Sequence, residues 1–447
     1  MTGLIILYFI CIILSISIIF LNRNKLNGFL FFNVGYSIYY FVIPFIILNV
    51  SSQKKEEFGS YLRFINEYNQ SDLFVNFLRS AGIYFIFLFF YFFIFFRKKE
   101  IGERDTIEFI RSQNTNKILL VGIICLILGL ISELVIIKNF GGVFNAISMA
   151  EKLRAYGVDR SNYMPQNLLF VNILSGISLA APFIFRFIMI SKKRMWLTTL
   201  YVISIVISCF YLLFFAGRLP IILFVSCFVF NFVFNKFKKP WLMIALFTVI
   251  MFVSVTLLED FLFYLSYGYI KNNTNSGFLR QVNDFSFPYS NNLAAYKMNE
   301  LFGYRYGIDL VTWIINIIPT NFLKIFGLTK VTSGYEYLTL YYDPQGVTLG
   351  GTPTDFVTLG IRQLPFIGPL LITILYSFIC SVIDKAIDKI NFKKLTFVKV
   401  RIASIMFIIV PYADYDSFFR NRFDMVIVLL LVIGIIKYPI KKESKSL

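Results

Sequence analysis

Histidine is absent from this 447-residue chain. Its absence removes the commonest general base and metal ligand from any mechanism, and it disfavours zinc sites, haem sites and acyltransferases that depend on an imidazole. Charge is scarce as well. Asp, Glu, Lys and Arg supply 15% of the residues, against 57% hydrophobic and 19% aromatic. A soluble chain of this length has no way to bury so much apolar surface, so the class is a multi-span membrane protein. The apolar runs are long and continuous, not alternating in ~10-residue pieces, which excludes an outer-membrane barrel. No Walker loop occurs, which excludes an ATPase pump. The five cysteines (Cys11, Cys125, Cys209, Cys227 and Cys380) all lie inside apolar runs. They fit buried membrane thiols and give no disulfide framework. No tandem repeat, low-complexity tract or soluble domain boundary is visible.

What is present is a series of apolar runs, near 4–21, 29–50, 74–96, 118–137, 168–190, 195–215, 220–234, 241–258, 365–383, 398–411 and 423–436. Helices satisfy their own backbone in lipid, so these predict an all-α integral membrane protein of about eleven transmembrane helices. Residues 1–447 then form a single polytopic membrane domain. The first run has no basic stretch before it and no small-residue cleavage site after it, as expected of a retained helix and not a signal peptide. One long segment, about 271–363, is too polar to span. It carries apolar pieces such as residues 310–318, so it is expected to fold as a large loop region containing short helices.

The basic residues sort by loop. Arg23 and Lys25, the group from Arg97 to Arg111, Lys192 to Arg194, Lys236 to Lys239, Lys385 to Lys394 and Lys437 to Lys442 fall on alternate connections. The positive-inside rule makes that face cytoplasmic, with the N-terminus outside and the C-terminus inside. Much of the formal charge of +18 is therefore orientation signal and contact with anionic membrane lipid, not a nucleic-acid footprint. The outer face keeps a basic set that the rule disfavours: Arg154, Arg160, Arg218, Arg280, Arg305, Lys324, Lys330, Arg362, Arg420 and Arg422. The span interiors are expected to be almost purely apolar.

Several outer residues could carry chemistry. Arg218 sits in the turn Ala216-Gly217-Arg218-Leu219-Pro220, where Pro220 is expected to open the next helix at its first position. It is either a snorkelling interfacial arginine or an anion hook, since guanidinium suits bidentate phosphate recognition. The run Tyr412 to Arg422 holds Asp414, Asp416, Arg420 and Arg422. Its Asp-x-Asp spacing is a weak metal signal that lacks further oxygen ligands, and an ion-paired loop is the stronger reading. Gly350-Gly351-Thr352-Pro353-Thr354-Asp355 allows close backbone approach beside a carboxylate suited to base chemistry, or is a plain turn. Gly141-Gly142, followed by Arg154, is a second glycine turn on this face. Glu133 lies inside a span near its outer end, either functional or snorkelling. Arg186 is read as snorkelling.

These residues resemble those of the Wzy-type O-antigen polymerases, the oligosaccharide repeat-unit polymerase family. The topology of about eleven spans with one large late outer loop is similar. The Gly217-Arg218 turn resembles that family's Gly-x-Arg turn ahead of an apolar helix. Ile317-Ile318-Pro319 through Lys324, with Lys330, resembles a family segment of Pro and Lys residues, without its later prolines. Phe287-Pro288 with Asn292-Leu293-Ala294 resembles a Ser-Pro-x-Glu-Asn-Leu run, without its Glu. Asp416-Ser417-Phe418 with Arg420 and Arg422 resembles an Asp-Ser-Phe…Arg loop, and Gly350 to Pro353 a small-residue segment where a Glu commonly follows and Asp355 stands here.

The resemblance implies a GT-C-like, lipid-linked glycosyltransferase in the bacterial inner membrane, its active site facing the periplasm. It implies transfer of a growing glycan from undecaprenyl diphosphate to the non-reducing end of a new undecaprenyl-diphosphate-linked repeat unit, for O-antigen or capsule. Arg218, Arg420, Arg422, Arg280 and Arg305 would bind diphosphate, and Arg154 and Lys324 would contact substrate. Asp416, Asp355 and Asp284 are the candidate bases. No cofactor or metal is required, and a chain-length regulator protein is a candidate partner. The rival readings are a lipid-linked oligosaccharide flippase or transporter, and an O-antigen ligase, whose expected catalytic His is missing here.

Overall fold

The computed structural model of the chain describes residues 1–23, 25–57, 59–95, 115–155, 166–215, 217–269, 277–318, 320–345, 351–390 and 392–437. Among these every regular element is helical and no strand occurs. Among the described residues eight helices are long and apolar enough to cross a membrane. The three other expected spans are helices too, Pro240–Tyr267, Thr396–Ile409 and Tyr415–Lys437.

In chain order the helices begin with α1 Thr2–Asn22, α2 Gly28–Leu48, α3 Ser52–Glu57, α4 Ser60–Asn66 and α5 Gln70–Ile94. Next come α6 Thr115–Asn139, α7 Val143–Ala155, α8 Gln166–Gly176, α9 Ala181–Met189, α10 Met195–Phe215, α11 Arg218–Lys236 and α12 Pro240–Tyr267. The long polar segment supplies α13 Gly277–Phe302, α14 Thr312–Asn316, α15 Thr320–Ile325, α16 Gly334–Tyr342 and α17 Phe356–Gln363. The chain closes with α18 Ile367–Lys389, α19 Thr396–Ile409 and α20 Tyr415–Lys437. They form two compact units. The first holds residues 1–97, 272–384 and 403–419, and the second holds 98–271, 385–402 and 420–447.

The first unit is built around α13, which packs on α2, α4, α5, α16 and α17. Although its sequence is polar, Gln281, Asn283, Ser286, Ser290, Asn291, Asn292 and Asn299 are all buried. Burial is tolerated because these groups are paired across elements. Asn283 Oδ1 accepts from Leu62 N at 3.2 Å, Asn292 Nδ2 donates to Ser80 Oγ at 3.0 Å, and Asn299 Nδ2 donates to Ile361 O at 3.0 Å. The polar segment is thus more than a surface loop. Its longest helix has 26 residues and threads a polar core. Pro288 inside it has no N–H to offer the carbonyl of Asp284 one turn back. In α2 the backbone widens into a π turn over Ile38–Val42, a local irregularity that often marks functional sites. Asp384 of α18 caps the start of α2, accepting from Gly28 N at 2.6 Å and Phe29 N at 3.3 Å.

In the second unit α6 packs along α8, the 3-10 turn Ile177–Ala180 and α9. Gly122 and Gly129 permit this approach, since a Cβ on either would run into Ile184 or Ser178. The interior here departs from the expectation of apolar spans. Glu133 is buried and accepts from Ser175 Oγ at 3.3 Å. Arg401 and Asp424 form a fully buried ion pair, Nε to Oδ2 at 3.0 Å, with the guanidinium 5.4 Å from the centre of the Phe183 ring. Glu133 and Asp424 are hidden from a composition scan because each is the one charge in its apolar run, and Arg401 shares its run only with Lys399. Each of the three is tolerated because a partner from another helix meets it.

Candidate functional site

The first unit assembles an aromatic cluster on one face of α13, with Phe287 and Tyr39 buried in it and Tyr61, Tyr342 and Tyr412 half-buried. Arg280, Asp284 and Phe287 stand at i, i+4 and i+7, a spacing that places them on one stripe of the helix. Rings surround Phe287: Tyr412 at 5.8 Å, Tyr61 at 6.2 Å and Tyr39 at 6.3 Å between centroids. Tyr342 lies edge-on to Tyr61 at 5.3 Å. Tyr61 reaches this place because Asn283 caps α4 from outside, and because Gly59, at φ 149°, leaves room for the Asn283 side chain that a Cβ would meet. The Tyr61 hydroxyl pairs with Thr352 Oγ1 at 2.8 Å. Burial pushes that phenol above its ordinary pKa, and the negative charge of Asp284 adds to the effect. Asp284 and Arg280 are half-buried, so both stay reachable from outside the unit.

Asp355 holds this face together. It is fully buried and caps α17, with Oδ1 accepting from Val357 N at 3.2 Å and Thr358 N at 3.1 Å. The Tyr40 hydroxyl donates to the same oxygen, and Asn291 Nδ2 donates to Oδ2 at 3.1 Å. The π turn of α2 serves both tyrosines, turning Tyr39 to the Phe287 ring and Tyr40 to Asp355. Backbone bonds from Ala413 N to Thr354 O at 2.8 Å and from Phe356 N to Val410 O at 2.9 Å then fix the segment carrying Tyr412. Burial raises the Asp355 carboxyl from its ordinary pKa, and the donors from Thr358, Tyr40 and Asn291 oppose that rise. With four donors and no exposure, this carboxylate acts as a clamp. The glycine expected to allow close approach does so at Gly351, where the Tyr335 ring occupies the space a Cβ would take.

A second charged cluster flanks it. Arg305 pairs with Asp309 at 2.9 Å, and its Nη2 donates to Thr332 O at 2.6 Å. Arg362, expected on the outer face, is buried instead. It donates to Asn299 Oδ1 at 2.7 Å and to Gly303 O at 3.3 Å, and burial lowers its pKa. Tyr337 lies between the two guanidiniums, 4.8 Å from Arg305 and 5.6 Å from Arg362. Gln363 Nε2 donates to Asp309 Oδ2 at 2.8 Å and closes the cluster. Lys324 is exposed on α15.

Four of the expected cations belong to the second unit. Arg218 is half-buried at the first position of α11, with Gly217 as the cap. The helix begins two residues earlier than expected, leaving Pro220 at the third position. Proline is accepted there because the first N–H groups of a helix have no intrahelical partner. A cation at this helix end repels the dipole, so an anion is the favourable company for both. Arg422 is buried at a break in α20, where its φ of −136° and ψ of 20° leave the helical region. Arg420 and Asp416 lie on α20 and Arg154 on α7, with side chains outside what the structure describes. The residues that sequence reasoning passed over are Tyr39, Tyr40, Tyr61 and Asn291. Their only signal was aromatic and amide richness, which core packing produces equally. Compared with protein-family models, with curated proteins and with solved structures, the chain finds no match in any of the three.

Proposed function

We propose that this chain is a membrane glycosyltransferase that polymerises lipid-linked oligosaccharide repeat units. The observation that carries the reading is the Arg280–Asp284–Phe287 stripe with its surrounding tyrosines. The half-buried Tyr61, Tyr342 and Tyr412 offer ring surface to a sugar, a carboxylate accepts the proton of a sugar hydroxyl, and a guanidinium neutralises a phosphate. In the proposed step the acceptor hydroxyl oxygen bonds to the anomeric carbon of the donor glycan. The bond from that carbon to undecaprenyl diphosphate breaks, the diphosphate leaves with the electron pair, and the proton passes to a carboxylate. Asp284 is the favoured base and Asp416 the second candidate, while Asp355 positions the site. Arg280 and Arg305 in the first unit are the proposed charge stabilisers. Lys324 of the same unit is the proposed substrate contact. The setting is a multi-pass protein of the bacterial plasma membrane, working on its outer side.

A lipid-linked oligosaccharide transporter is the second reading, favoured by Glu133 and by the buried Arg401–Asp424 pair, since intramembrane charges often mark transport paths. One experiment separates the two. Purified protein is incubated with lipid-linked repeat unit and the product lengths are resolved on a gel. The polymerase yields a ladder, and Arg280→Ala leaves single units only. A transporter yields no ladder from the wild type.

A further inference from the structure

A groove of about 400 Å³ runs down one flank of the first unit, between α5, Tyr296 of α13 and the start of α18. Its volume lies in the range of small-molecule sites. Apolar side chains form its walls, and Val75, Leu78 and Phe366 are exposed there, so they face lipid when α5 spans a membrane. One cation lies in it. Arg79 stacks on the Tyr296 ring at 4.6 Å and donates through Nη1 to Asn292 O at 2.9 Å and Asn292 Oδ1 at 2.7 Å. Among the described residues the protein's hydrogen bonds to this guanidinium fall on Nη1 alone. The guanidinium is half-buried and keeps further N–H donors, which an anion in the groove would complement.

We infer that this groove holds one acyl chain of a bilayer glycerophospholipid, with the lipid's phosphate on Arg79. Two features select that occupant. The charges match, guanidinium to phosphate. From Arg79 to Ile86 the groove follows seven residue steps of α5, about 10 Å, room for the upper part of an acyl chain below a phosphate on Arg79. Gly82 makes the channel. It lines the groove, and a Cβ built on it meets nothing within 4 Å.

The test is native mass spectrometry of the full chain in mild detergent, titrated with dioleoyl phosphatidylglycerol and, in a competing arm, with a polyisoprenoid phosphate. Wild type is expected to retain one phosphatidylglycerol. Arg79→Gln is expected to weaken retention by about tenfold, the value of one charge-assisted hydrogen bond. Gly82→Leu fills open space in a helix-favouring way, so its thermal midpoint should match wild type while retention falls equally. Unchanged retention in Gly82→Leu overturns the assignment, as does displacement of phosphatidylglycerol by the polyisoprenoid phosphate. Product length on the gel is a separate readout, so failure of the glycosyltransferase reading leaves this result standing.

Discussion

Replacing Asp355 separates a clamp from a catalytic base. Asp355→Ala removes the cap of α17, worth about 1 kcal/mol, and strands the buried Tyr40 hydroxyl and Asn291 amide at about 1–3 kcal/mol each. The sum, about 3–7 kcal/mol, is a large share of a net stability of about 5–15 kcal/mol. Asp355→Asn keeps the Oδ1 position that serves Tyr40, Val357 and Thr358 and loses only the Asn291 bond at Oδ2. Its cost is therefore about 1–3 kcal/mol. Thermal unfolding in mild detergent should rank wild type first, Asp355→Asn second and Asp355→Ala well below both. The pH response adds a sign. Burial raises the folded-state carboxyl pKa above its unfolded value, so the stabilising contribution is complete below the ordinary carboxylate range and is lost as pH rises through the folded value. Acidification from pH 7 should stabilise wild type relative to Asp355→Asn, which does not titrate. Equal losses from the two substitutions refute the clamp. A fully stable Asp355→Asn protein that makes no polymer refutes it in the other direction, by making Asp355 the base.

Gly351→Ala should destabilise by about 1–3 kcal/mol through overpacking against Tyr335, and Tyr335→Ala in the same chain should recover part of the loss in a melting curve. Arg401→Gln or Asp424→Asn alone should cost about 3–5 kcal/mol, whereas joint replacement by apolar residues should approach neutrality; additive losses in the double-mutant cycle would contradict the pairing. Asp284→Asn should leave the melting midpoint near wild type and abolish the glycan ladder, and an undiminished ladder transfers the base to another carboxylate. Polymerisation should persist in EDTA, and complete loss would direct attention to Asp414 and Asp416.

What can be read from the chain alone is set by solvent preference and local backbone chemistry. Long apolar runs have one solution in lipid, so the helical class and most span positions follow from order along the chain. Caps are local too: Ser333 with Glu336 and Asp355 ahead of α17 announce helix starts within three residues. The close approach at Gly351 is similarly foreshadowed by the glycine itself. Tertiary structure decides what depends on partners distant in sequence. Nothing near Asp355 in the chain reveals that Tyr40 and Asn291 offset its burial, and that pairing gives this candidate base the geometry of a clamp. Arg362 reads as a surface cation until Asn299 and Tyr337 give it a buried place. Glu133, Arg401 and Asp424 vanish within apolar averages because hydropathy sums along the chain, whereas the cost of a buried charge is met across helices.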